Sequence, residues 1–233
     1  MSHNLDQVLT DTSKQNLSLA AALESLVDME LDARRSRAVE RRFRSARIGA
    51  RCSIDGFQFN HHKSRLQMKN RILHLMDLDF IHHGANIVII GNPGVGKTFL
   101  ASALGDQACK HGYTTRYFKT SELISDLIAS KADGSFERFS IELAKTHLLI
   151  IDEWLREPLV DDSAREILDL LDDRYRKASC IILAQTPATD WYRLIKDPTI
   201  AEAILDRLVH DSLRMDLKGE ESMRKITSKL NAK

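Results

Sequence analysis

Gly91-Asn92-Pro93-Gly94-Val95-Gly96-Lys97-Thr98 brings together the residue types that hold a polyphosphate. Glycine lets a short loop coil until its backbone N–H groups converge on one point, making an anion nest at the start of a helix. Lysine and a hydroxyl residue at its end suit the terminal phosphates and a Mg²⁺ ion. The loop follows the apolar run Ile87 to Ile90 and opens a segment with Phe99, Leu100, Ala103, Leu104 and Ala108 at helical spacing. A glycine-rich surface turn would need neither neighbour, whereas this strand–loop–helix setting is what the motif requires. The expectation is a nucleoside triphosphate site built from Gly91 to Thr98, with Phe99 at its edge.

The second chemical signal is Leu148-Leu149-Ile150-Ile151-Asp152-Glu153, an apolar strand that ends in two acids. Behind a phosphate loop, Asp152 suits Mg²⁺, held directly or through water, and Glu153 suits the polarisation of a water that attacks the γ-phosphate. A third strand, Ile181 to Ala184, ends in Gln185-Thr186-Pro187. If that strand lies between the other two, Gln185 faces the γ-phosphate as a sensor, with Thr186 as the alternate; a plain hydrogen-bonded turn before Pro187 is the competing reading. Arg207 and Arg224, taken by their surroundings alone, read as solvated charges.

The elements around these residues alternate in α/β fashion. Strands are expected near 86–91, 114–119, 147–152, 179–185 and 212–217, and helices near 97–110, 121–130, 163–175 and 199–209. A helix over 63–79 leads into the first strand. Upstream, residues 12–31 read as an amphipathic helix with Leu19, Leu23, Leu26 and Val27 on one face, continued by an arginine-rich stretch. Eight arginines lie between Arg34 and Arg51, against Asp32 and Glu40. Arg34, Arg37, Arg41 and Arg44 share one stripe, suited to DNA phosphates or to an acidic protein partner.

Composition sets the bounds. The chain has 233 residues, 43% of them hydrophobic, enough for one main domain with a small appendage. A net charge of +1 excludes a global attraction to nucleic acid, so any such contact must be local. Cys52, Cys109 and Cys180 are far apart and show no metal-ligand spacing, which fits reduced thiols. The first residues lack a signal-peptide pattern, and no apolar run approaches about 18 residues. A cytoplasmic protein without a membrane partner is expected.

Beyond these readings the chain resembles the IstB family of transposition-helper ATPases, relatives of the DnaC-type helicase loaders in the AAA+ group. The resemblance spans about 60–228. It rests on the phosphate loop with Phe99-Leu100-Ala101, on Leu148 to Glu153 with Glu157-Pro158-Leu159, on Asp197 to Leu208, and on Leu217 to Lys225. It implies a P-loop AAA+ fold, a five-stranded parallel sheet flanked by helices, over 61–233 with a short C-terminal helix. A small helical region, 1–60, would precede it and contact DNA or a partner.

The same resemblance implies an ATPase that assembles as a homo-oligomer on double-stranded DNA and serves a transposase, or alternatively loads a replicative helicase. Catalysis would then involve Lys97, Glu153, Gln185, Arg207 and Arg224. Arg207 takes the position of a finger that reaches the neighbouring subunit's nucleotide, and Arg224 that of a second sensor. Two departures stand out: the tail has one Glu more than expected before Arg224, and Trp154-Leu155-Arg156 replaces a short residue and a glycine after the acids. A P-loop kinase would need an acceptor site and a lid, and neither is apparent.

Overall fold

The fold comes from a computed structural model of the chain, which describes residues 18–210 and 212–219. Five strands form one parallel sheet: β1 (Ile87–Ile90), β2 (Thr115–Lys119), β3 (Leu148–Trp154), β4 (Ser179–Ala184) and β5 (Leu213–Asp216). Their order across the sheet is β2-β3-β4-β1-β5. Thus β4 lies between the strand before the phosphate loop and the strand that ends in Asp152 and Glu153. All five strands fall where the apolar runs place them.

Alternation along the strands fills two cores. Val88, Phe118, Leu149, Ile151, Cys180 and Ile182 pack on one face, under α6 (Thr120–Ala132), α7 (Phe136–Lys145), α8 (Asp161–Arg174), α9 (Trp191–Leu194) and α10 (Pro198–Val209). Ile87, Ile89, Leu148, Ile150, Ile181 and Leu183 pack on the other, against α5 (Lys97–Lys110) and the residues before β1. Covering both faces explains why the central strands are continuously apolar. Each such side chain contributes about 1.5–3 kcal/mol relative to exposure.

The segment before β1 differs from the single helix expected over 63–79. It forms α2 (Lys63–Gln67), α3 (Lys69–Leu75) and α4 (Asp79–His82). Leu78, at φ +64°, turns the chain in the left-handed region and buries its side chain, so a helical path ends there. Leu66 and Leu73 of this segment are exposed.

The expected helix over 12–31 and its arginine-rich continuation form, within the described residues, one helix, α1 (Leu19–Ala46). Ser18 caps it by accepting from the Ala21 N–H at 3.3 Å. Its far end docks on the sheet domain through Ala46, Ile48 and Cys109, with Phe43 and Tyr117 against them. Gly105 is small because Ile48 is there: a Cβ would meet Ile48 Cδ1 at 2.7 Å. Two ion pairs hold the same junction, Arg47 to Asp126 at 2.9 Å and Arg51 to the buried Asp106. At the other end, Leu23, Val27 and Leu31 remain exposed. Among the described residues no helix is long and apolar enough to cross a membrane.

Candidate nucleotide site

Strand β1 delivers the chain into the loop at the carboxyl edge of the sheet. The Gly91 N–H donates to the Ala184 carbonyl of β4 at 3.2 Å. Gly91 has no room for a side chain, since a Cβ would lie 2.3 Å from the Leu217 carbonyl oxygen. Gly96, at φ +90°, makes the left-handed turn that starts α5, and Val95 anchors the loop by burying its side chain. The loop therefore ends at a helix N-terminus that no side chain caps, the arrangement that attracts phosphate.

Lys97 is buried, and its ammonium donates to the carbonyls of Gly91 at 2.7 Å and Asn92 at 3.1 Å. Burial pushes its pKa down, and the Asp152 carboxylate opposes that shift. The charge thus rests folded back on the loop that presents it.

Thr98 donates its hydroxyl to Asp152 Oδ2 at 2.8 Å. Adjacent oxygens on an octahedral ion with bonds of 2.0–2.1 Å stand about 2.9 Å apart. These two hard oxygen donors therefore fit Mg²⁺, with a hydroxyl proton now lying between them. Tyr117 donates to the same Oδ2 at 2.7 Å, and Asp152 Oδ1 accepts from the Glu153 N–H at 2.6 Å. Burial and the neighbouring carboxylate push the Tyr117 hydroxyl pKa up, so it remains a donor. Tyr117 escapes a motif search because it belongs to another strand; its only sequence mark is its place in the alternating run Thr115 to Lys119.

Glu153 leaves β3 at φ +55°, within a bulge. Ile151 pairs with Ile182 but Trp154 with Ala184, so β3 has one more residue than β4 over that interval. The extra residue breaks the ladder beside the two acids, of which Asp152 meets Thr98 of the loop. The Glu153 carboxylate has Arg156 at 3.2 Å and Lys119 at 3.7 Å, one cation on each oxygen. Leu155, in the stretch that departs from the family pattern, takes φ +50° and is held there with its side chain in the core. A cavity of about 540 Å³ opens beside Glu153, reaching Thr120, Arg156 and Ser163.

Gln185 is exposed at the end of β4, next to the residue whose carbonyl receives Gly91. The Thr186 hydroxyl is buried and lacks a hydrogen-bond partner, while its carbonyl accepts from Trp191 Nε1 at 3.0 Å. Lys97, Thr98, Asp152, Glu153 and Gln185 therefore lie at one edge of the sheet. Arg207 does not. Asn86, just before β1, donates to the Arg207 carbonyl at 2.8 Å. The four residues of β1 separate that point from the loop, about 13 Å at roughly 3.3 Å per residue. The Arg207 guanidinium pairs with Asp172 of its own chain. Arg224 and the expected C-terminal helix lie outside the described residues.

Of the arginine stripe, Arg34 and Arg37 share Glu30, at 2.9 and 3.2 Å. Arg41, Arg42 and Arg44 have no carboxylate partner among the described residues. Arg41 and Arg42 border a cavity of about 450 Å³ that also receives Arg116 and Lys145 from the sheet domain.

Known proteins share these features. A family profile described as IstB-like ATP binding protein matches residues 1–231. A protein of Sinorhizobium fredii, named as the insertion-sequence ATP-binding protein y4pL, is 33% identical over 224 residues, 96% of this chain and 91% of its own length. The protein named for ATP binding in insertion sequence IS21 of Pseudomonas aeruginosa is 31% identical over 220 residues, 94% of this chain and 82% of its own. Among solved structures, AMPPCP-bound DnaA from Aquifex aeolicus superposes with a TM-score of 0.62 at 18% identity, covering 80% of this chain and 56% of that one. The DnaC helicase loader gives 0.58 at 20% identity, covering 76% and 99%. At such identities the two structures speak for the fold, which is that of these AAA+ proteins.

Proposed function

Because the chain belongs to the family of IstB-like ATP-binding proteins, we propose that it is an ATPase that assembles on double-stranded DNA and serves the transposase of an insertion sequence. The observation that carries the ATPase reading is the apposition of Thr98 and Asp152 at the mouth of the loop that presents Lys97. Lys97 turns from the loop carbonyls to the β- and γ-phosphates. Thr98 and Asp152 hold Mg²⁺, which when bound offsets charge on the phosphates. Glu153 takes a proton from water as the water oxygen bonds to the γ-phosphorus. The bond to the β–γ bridging oxygen breaks and ADP leaves with the electron pair. Gln185 orients that water or the γ-phosphate.

Arg207 serves a neighbouring copy. Its place at the amino edge of the sheet, about a strand's length from its own loop, supports action in trans. A nucleotide between subunits then joins them, and loss of the γ-phosphate removes the partner of Arg207 and loosens the assembly. Arg41, Arg42 and Arg44, free of carboxylates among the described residues, supply the DNA contact, and the 1–60 region forms the surface for DNA or partner.

Relatives named for insertion sequences, at 31–33% identity over nearly the whole chain, favour a transposase over a replicative helicase as partner. Light scattering after gel filtration, with and without ATP and a duplex of about 50 bp, tests the reading. Growth in mass that needs both ATP and DNA, and is lost in Lys97→Ala, is expected. A chain that stays monomeric with both present would overturn it.

A further inference from the structure

Two arginines are wholly enclosed by the fold, and they differ in one respect. Arg174 spends its guanidinium on the carbonyls of Leu143, Thr146 and Ser179 and on the Cys180 sulfur. Arg65, in α2, is equally buried but has fewer partners. It donates Nη1 to the Gln58 carbonyl at 3.2 Å and Nη2 to the Val95 carbonyl in the phosphate loop. Its Nε is buried without a partner, and no carboxylate pairs with it among the described residues. The guanidinium carbon lies 5.1 Å from the centre of the Phe57 ring.

A cation enclosed without a counter-charge is costly, and burial accordingly pushes the Arg65 pKa down. Its surroundings indicate where the missing charge belongs. Arg65 Nη2 would stand 3.7 Å from a Cβ on Gly96, so one layer of loop backbone separates it from the phosphate cradle. Of the loop's carbonyls, that of Val95 faces Arg65, while those of Gly91 and Asn92 face Lys97. Polarising the Val95 carbonyl strengthens the loop's dipoles toward an anion. The same guanidinium ties the loop to residues 57–59, where Phe57 rests on Phe59 at 5.0 Å and on Phe99 at 6.3 Å.

We propose that Arg65 is a positioning residue for the triphosphate, a cation held behind the phosphate loop whose counter-charge is the nucleotide itself. Resting on the ATP reading above, this makes the site discriminate nucleotides by phosphate number through a residue that touches none of them. It also couples nucleotide binding to the order of the aromatic segment 57–59.

Affinities for ATP, ADP and AMP, measured calorimetrically on the full chain and on Arg65→Gln and Arg65→Lys, provide the test. Arg65→Gln should weaken ATP roughly tenfold or more, and AMP no more than about threefold, because the Coulomb attraction grows with ligand charge. Arg65→Lys, which keeps the charge, should recover most of the difference. Equal losses for ATP and AMP, or none, would overturn the proposal. Should Arg65→Gln fail to fold, amide exchange on the wild type decides: residues 57–68 should be slowed by ATP and not by AMP, and equal protection by both counts against Arg65. Lys97→Ala separates the two readings. A wild type with no affinity for ATP sinks the nucleotide site itself, whereas affinity lost in Lys97→Ala but kept in Arg65→Gln sinks only the role of Arg65.

Discussion

Arg207 and Asp172 form an ion pair within one chain, at the end of the sheet opposite the phosphate loop. Arg207 is thus occupied in the single subunit and must exchange Asp172 for a phosphate to act on a neighbour. Arg207→Ala should leave ATP binding to the isolated subunit unchanged and lower turnover of the assembly by about 10³-fold or more. Mixing Arg207→Ala with Lys97→Ala subunits should restore activity at interfaces where one keeps the pocket and the other the arginine. Mixed assemblies that form yet stay inactive would confine Arg207 to its own chain.

Glu153→Gln should bind ATP normally and turn it over about 10²-fold more slowly, the usual loss when a general base is removed. Arg156→Ala removes an exposed ion pair and keeps the carboxylate, so its turnover should stay within about fivefold of wild type. Single-turnover rates on both variants check this, and the reverse order of severity would transfer the role from Glu153.

The buried Lys97 ammonium gives ATP binding a pH signature. Burial holds its pKa in the empty site below the ordinary 10.5, and bound phosphates raise it again. Between those two values the lysine takes up a proton as ATP binds, so affinity should fall as pH rises through the empty-site value. In the empty protein the same group favours unfolding at lower pH, and that penalty fades as pH rises toward 10.5. Calorimetry at alkaline pH in buffers of different ionisation heat should detect proton uptake. No uptake in the wild type would remove Lys97 as its source.

Changing Arg41, Arg42 and Arg44 to Gln should flatten the slope of log affinity against log salt by about 3 units on duplex DNA. Arg34 and Arg37, held by Glu30, should matter less when changed in the same way. Affinity should drop similarly on unrelated sequences, since phosphates carry no sequence information. Parallel slopes for wild type and the triple variant would leave protein contact as the task of this helix.

Asp197 caps α10, accepting from the N–H groups of Thr199 at 2.8 Å and Ile200 at 3.3 Å, with Pro198 in the first turn. Asp197→Ala should cost about 1 kcal/mol in urea unfolding with an unchanged m-value. A cost near zero would mean that packing alone starts this helix.

The strands and the motif residues were legible because each is a local pattern: a short apolar run, a glycine loop, an acid after a strand. What stayed hidden depends on distant partners. Arg65 sits in Lys63-Ser64-Arg65, a stretch that reads as solvated, and only the fold brings Val95 and Phe57 around it. Tyr117 meets Asp152 because β2 and β3 are neighbours. The helix Phe136–Lys145 was overlooked, although Phe136, Phe139 and Leu143 repeat at helical spacing, because charged residues interrupt the run. The arginine stripe was visible, but its partners Glu30, Asp106 and Asp126 were not, and they decide which members remain free.

The extra residue in β3 between Ile151 and Trp154 also limits how this region can vary over time. Elsewhere a strand end tolerates gaining or losing a residue by lengthening or shortening the turn. Here removal of one residue would restore plain pairing with β4 and reverse the side on which Asp152 or Glu153 emerges. Letters can change within the segment, as Trp154 and Leu155 illustrate, but its length cannot, so descendants of this sequence should vary here by substitution and not by insertion or deletion.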